Sequence, residues 1–101
     1  MLQNILDNDI LKSLYFTELK MLDLIVNPYA GRGRAKTDAK KVFEILDANN
    51  VKFAPHYTAR KKHATEIAYN LTLSGAETIV SVGGDGTIHE IVNGIILARR
   101  E

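Results

Sequence analysis

The 101-residue chain is long enough for one compact domain with a buried core and too short for two. Apolar residues make up 46% and charged residues 25%, the balance of an ordinary globular protein, and 13 basic against 12 acidic residues leave no overall basic field that would draw the chain to nucleic acid. Without cysteine there is no disulfide framework, thiolate metal site or thiol nucleophile.

Ile5, Leu6, Ile10, Leu11, Leu14 and Tyr15 recur at helical spacing, so the first twenty residues predict an amphipathic helix. Asp7, Asp9 and Glu18 interrupt this stretch, which does not read as a secretory signal, and no window reaches the roughly 18 apolar residues of a membrane span. We expect residues 1–20 to be an appendage and residues 21–101 to form the domain. Leu22, Leu24, Ile25 and Val26 predict a buried strand that stops at Asn27-Pro28. Thr37 is the expected cap of a first helix carried by Ala39, Val42, Phe43, Ile45 and Leu46, which ends at Asn49-Asn50. Residues 51–57 predict a second strand, which Pro55 marks as short or near an edge. Ala64, Ile67, Ala68 and Leu71 mark a second helix, closed by Gly75. Residues 77–82 form the third expected strand, and from Thr87 onward Ile88, Ile91, Val92, Ile95 and Ile96 mark the third helix. Strict alternation of strand and helix predicts an α/β fold in three layers, a mostly parallel sheet flanked by helices with right-handed crossovers.

In such a sheet ligands bind outside the carboxyl ends of the strands, where two glycine-rich segments fall. The first spans Asn27, Pro28, Tyr29, Ala30, Gly31, Arg32, Gly33, Arg34 and Ala35. Its glycines would let backbone N–H groups approach an anion, and Arg32, Arg34, Lys36 and the following helix N-terminus would add positive charge. The second is Gly83, Gly84, Asp85, Gly86 and Thr87. Three glycines in four positions cost stability unless backbone must approach a ligand closely. Thr87 suits either a helix cap or a phosphate donor, whereas Asp85 implies a magnesium ion or a ribose hydroxyl between it and a phosphate. Neither segment is a P-loop or a complete dinucleotide fingerprint. His56 and His63 lack metal-site spacing and read as surface or packing residues. His89 stands open between lining the pocket and facing away. Glu90 reads equally as a ligand or as a first-turn carboxylate favoured by the helix dipole.

Taken together, Ile25-Val26-Asn27-Pro28 with Ala30, Gly31 and Gly33, then Tyr57-Thr58 to His63-Ala64, then Gly83 to Thr87 with Glu90 and Asn93-Gly94 resemble the catalytic domain of diacylglycerol kinases, a family shared with sphingosine kinases and bacterial lipid kinases. The glycine-rich segment at Gly83 is also similar to NAD kinases and phosphofructokinases. The resemblance implies the N-terminal domain fold of diacylglycerol and NAD kinases. It implies an ATP site lined by Asn27 to Gly31, Gly33, Thr58 and Gly83 to Glu90, with magnesium near Asp85. The implied reaction is transfer of the ATP γ-phosphoryl group to a hydroxyl of a diacylglycerol or sphingoid-type lipid. The enzyme would be cytoplasmic and would meet its substrate peripherally at a membrane. The general base and the lipid surface would belong to a second domain, so the expectation is a fragment with little or no kinase activity of its own. The alternatives are an NAD-kinase-like or sugar-kinase-like domain and a non-catalytic nucleotide-binding fragment. A surface left open by the second domain would favour a homo-oligomer.

Overall fold

The computed structural model describes residues 21–101; the helix expected over the first twenty residues lies outside the described residues. Three strands, β1 (Leu22–Val26), β2 (Phe53–Tyr57) and β3 (Ile79–Val82), alternate with three helices, α1 (Arg34–Ala48), α2 (His63–Leu73) and α3 (Asp85–Arg99). All strands run parallel in the order β2-β1-β3, with Val26 in register with Tyr57 on one side and Val82 on the other.

The central strand is covered on both faces, which explains its unbroken apolar run. Leu24, Ile25 and Val26 are fully buried. Because side chains alternate along a strand, Leu24 and Val26 pack with Ala35 and Ala39 of α1 and with Val82. Ile25 packs on the opposite face with Ala64 and Ala68 of α2 and Ile91 of α3. Phe43 of α1 and Phe53 of β2 stack with ring centroids 5.1 Å apart. Pro55 has no N–H to donate, and β2 is an edge strand, the second of the two outcomes that the proline leaves open. No helix of the described residues is long and apolar enough to cross a membrane.

Two helices begin earlier than their side chains suggest. Helix α1 starts at Arg34, so Thr37 is inside it and caps nothing. Gly31, Arg32 and Gly33 take φ of 65°, 59° and 92°, and this left-handed run turns the chain onto the helix without a capping side chain. Helix α3 starts at Asp85 instead of Thr87, with extended Gly84 as its N-cap. Asp85, Gly86 and Thr87 are therefore its first turn. Strand β2 starts at Phe53 because Val51 is still tied to α1, its N–H donating to the Leu46 carbonyl at 2.9 Å. Gly75, with φ 96°, follows the α2 C-cap Ser74 as the glycine position predicts. Helices α2 and α3 cross at Gly94, where an added Cβ would stand 3.0 Å from both Ala68 Cβ and the Tyr69 nitrogen and closer still to the Thr65 carbonyl oxygen.

Candidate functional site

Parallel pairing brings the carboxyl ends of all three strands to one edge of the sheet. The ladder runs one residue past β1 and β2: the Asn27 N–H donates to the Val82 carbonyl and the Thr58 N–H to the Val26 carbonyl, both at 2.9 Å. From there Asn27 ties the first loop to α3. Its Oδ1 accepts the Tyr29 N–H at 3.2 Å, and its Nδ2 donates to Thr87 Oγ1 at 3.3 Å. Thr58 and Thr87 are buried polar residues at this edge.

A cleft of about 360 Å³, within the size range of small-molecule sites, opens over these strand ends. Asn27, Tyr29, Ala30, Thr58, Gly84, Gly86, Thr87 and Glu90 line it, which gathers eight of the expected site residues from three separate segments. Pro28, Gly31, Gly33, Gly83 and Asp85 are outside the lining. The positive φ of Gly31 and Gly33 gives them a backbone role in the turn onto α1. Gly83 answers to packing, since a Cβ there would come within 2.5 Å of Thr87 Oγ1 and 2.9 Å of Thr87 Cβ.

Gly84 and Gly86 are different. Neither has a positive φ, and a Cβ on either would meet nothing of this chain within 4 Å. No conformational or packing demand of the described residues calls for glycine at these two positions, yet both face the cleft. Helix α3 has no capping side chain at this end, and among the described residues the N–H groups of Asp85 and Gly86 have no acceptor. Unpaired N–H groups and the positive end of a helix dipole suit an anion.

The cations at the cleft are not those of the first loop. Arg32, Arg34 and Lys36 are exposed and outside the lining, whereas Arg60 and Lys61, from the loop after Thr58, are part of it together with Ala59 and Ala64. The signal was the basic run Arg60-Lys61-Lys62, but which loops converge is a property of topology and not of local pattern. Lys61 makes no ion pair among the described residues, while Arg60 donates to Glu66 Oε1 at 2.6 Å. The hydrogen bond and charge of Arg60 hold the Glu66 carboxyl below its ordinary 4.5, with His63 a lesser contributor. A depressed folded value means that the pair's contribution is present above the unfolded pKa and is lost as pH falls through the folded one. A carbon-detected NMR titration should therefore give Glu66 a midpoint below 4.5 that moves back up in Arg60→Gln; an unchanged midpoint would show that the pair is absent in solution.

Glu90 is in the second turn of α3, because the helix starts early, so the dipole reading of a first-turn carboxylate does not hold. Its Oε2 accepts the Lys62 N–H at 3.0 Å, and its carbonyl accepts the Thr65 hydroxyl at 2.9 Å. It thus fastens the loop that carries Thr58, Arg60 and Lys61 against α3. His89 is exposed and outside the lining. His63 Nδ1 accepts the Ala59 N–H at 2.7 Å, and His56 Nε2 pairs with Asp23 Oδ1 at 3.0 Å, both structural contacts. Among the described residues no three His, Asp or Glu gather as metal ligands, and Glu90 is the one carboxylate of the lining.

The family model of the diacylglycerol kinase catalytic domain matches residues 21–101, every residue described above. The chain belongs to that family. The chain is 39% identical to human sphingosine kinase 2 over 72% of its own length and 11% of the relative's. Sphingoid long chain base kinase 4 of Schizosaccharomyces pombe is 40% identical over 71% of the chain and 16% of the relative. Diacylglycerol kinase of Bacillus subtilis is 32% identical over 76% and 25%. A solved structure, a putative diacylglycerol kinase from Bacillus anthracis str. Sterne, superposes with a TM-score of 0.64 at 33% identity, covering 74% of this chain and 27% of that one. The matched region thus spans a quarter or less of these curated relatives.

Proposed function

We propose that residues 21–101 are the nucleotide-binding part of a lipid kinase, with the ATP phosphates over the first turn of α3. The observation that carries this reading is the pair Gly84 and Gly86, open to the cleft at an uncapped helix N-terminus and required by nothing within the described chain. Phosphate oxygens would accept from the N–H groups of Asp85 and Gly86, and Lys61 would add a cation without first breaking an ion pair. Asn27 and Thr87, bonded to one another, would fix the register of the first loop against the helix. Magnesium commonly binds by one or two carboxylates and substrate phosphates, and the described residues do not fit a metal held by protein alone. The ion would come with its nucleotide.

The reaction would be transfer of the γ-phosphoryl group to a lipid hydroxyl met at a membrane surface. The names of the relatives cover both sphingoid and glycerolipid substrates. Phosphoryl transfer also needs a group to orient or deprotonate the attacking hydroxyl. Glu90, the one carboxylate in the lining, already accepts the Lys62 N–H. We therefore expect the 101-residue chain to bind nucleotide and to phosphorylate lipid only at background rate.

The test is an amide NMR titration of the labelled chain with magnesium ATP. Saturable shifts should fall on residues 27–30, 58–61 and 84–90 and spare the opposite end of the sheet around Val51. A folded spectrum that does not respond to ATP at about 1 mM, a binding free energy near 4 kcal/mol, would reject the reading.

A further inference from the structure

The flank of α3 turned away from α2 carries a pattern that the cleft does not use. Glu90 and Gly94 are among the α3 positions in contact with α2. At 3.6 residues per turn, Val92 points about 160° around the helix from both. Ile88, Val92 and Ile96 form a stripe on that flank and are 50%, 46% and 45% exposed. Helix α3 packs on β3, an edge strand, so no described element covers the stripe. Asp85 and Arg99 close the stripe at its two ends, both exposed and without an ion pair among the described residues. All five positions lie within about 40° of one line along the helix.

The order Asp85, Ile88, Val92, Ile96, Arg99 is symmetric in spacing about Val92 and opposite in charge at its ends. Turned end over end, it complements itself. The acid at the N-terminus and the base at the C-terminus each suit the dipole of α3 alone, but the dipole does not explain why both stand on the apolar line. We propose that this flank is the contact between two copies of the chain, packed antiparallel across a twofold axis at Val92. Ile88 then meets Ile96 of the other copy, and Asp85 meets Arg99 of the other copy at each end. Isologous contact of this kind requires self-complementarity, which is what the pattern supplies. Three half-exposed side chains and two charged ends per copy fall short of the roughly 800 Å² per partner of a stable complex, so the dimer is weak and depends on concentration.

Light scattering or sedimentation of the whole chain should show the mass rising from 11.2 kDa toward twice that value as concentration increases. The useful range is about 10 µM to 1 mM, and R99E should move the midpoint upward at least about threefold, with D85K/R99E restoring it. The chain has no cysteine, so introduced thiols report register directly. V92C should give a disulfide-linked dimer under copper phenanthroline, while N93C, on another side of the helix, should not. I88C and I96C should cross-link when mixed and not separately, because like positions would lie about 12 Å apart along the axis, beyond disulfide reach. Each variant is checked for a native circular dichroism spectrum, and V92E should be folded and monomeric. A folded monomer at about 1 mM, or V92C cross-linking no faster than N93C, would overturn the proposal. So would a dimer that forms only after residues 1–20 are removed, since the occupant of the stripe would then be that segment.

Discussion

Gly86→Ala should make the protein more stable and a poorer binder of magnesium ATP. The two effects have separate causes. Gly86 is inside α3 with ordinary helical backbone, and a Cβ there meets nothing of the chain within 4 Å. Alanine in a helix is favoured over glycine by up to about 1 kcal/mol, so the thermal midpoint should rise by up to about 4 to 8 °C for a domain of this size. The added methyl group would occupy the space in which we place the phosphates and lengthen the approach to the Asp85 and Gly86 N–H groups. The expected loss of affinity is tenfold or more, about 1.4 kcal/mol. Gly75→Ala provides the opposite control. Its φ of 96° penalises a side chain, and it is outside the cleft, so stability should fall by about 1 kcal/mol with affinity unchanged. Calorimetry and fluorescence titration on the two variants separate the readings. If Gly86→Ala binds ATP as the parent does, the glycine is incidental and the phosphate position is wrong.

The three glycines at Gly83, Gly84 and Gly86 show what the amino-acid order conveys and what it withholds. Their density announces a special turn after β3, but as letters they are equivalent. Only packing separates Gly83, which Thr87 crowds, from the two that face open space. The succession of strands and helices was legible because apolar residues change cleanly from continuous runs to helical spacing, and each change coincides with an element. Helix starts were less legible. The rules for caps look for a side-chain oxygen, and the N-cap residues of α1, α2 and α3 (Gly33, Lys62 and Gly84) have none that bonds. Thr37 has the right chemistry for a cap and stands one turn too late. The cationic side of the cleft was hidden for another reason. Arg32, Arg34 and Lys36 flank glycines, as phosphate ligands often do, yet all three are exposed and outside the cleft lining. Arg60 and Lys61 sit at the cleft because β2 is parallel to β1 and ends beside it.

Gly94→Ala should be the most damaging single-methyl change in the described domain. In the amino-acid sequence Gly94 stands out only through Asn93-Gly94, which is part of the family resemblance and not of the expected site. The structure places it two turns along α3, buried against α2 and away from the cleft lining. The atoms a Cβ would strike are the Thr65 carbonyl oxygen, the Tyr69 nitrogen and Ala68 Cβ. Two of these are backbone, fixed by the hydrogen bonds of α2, so a rotamer change cannot clear them. The helices must separate, which opens the packing of Ala64, Ala68 and Ile91 on Ile25. It also pulls on the two hydrogen bonds that join Glu90 to Lys62 and Thr65. Overpacking of this kind costs about 1 to 3 kcal/mol and sometimes more, against which the gain in helix propensity is at most about 1 kcal/mol. For a domain whose whole stability is on the order of 5 kcal/mol, the net loss should lower the urea midpoint by a fifth or more. The Lys62 amide should exchange faster with solvent before global unfolding, because its hydrogen bond to Glu90 is part of the first contact to open. Nucleotide affinity should fall as well, through displacement of the loop that carries Thr58, Arg60 and Lys61. Restoring stability with an osmolyte would then recover binding in Gly94→Ala but not in Gly86→Ala, which separates damage to the scaffold from damage to the cradle.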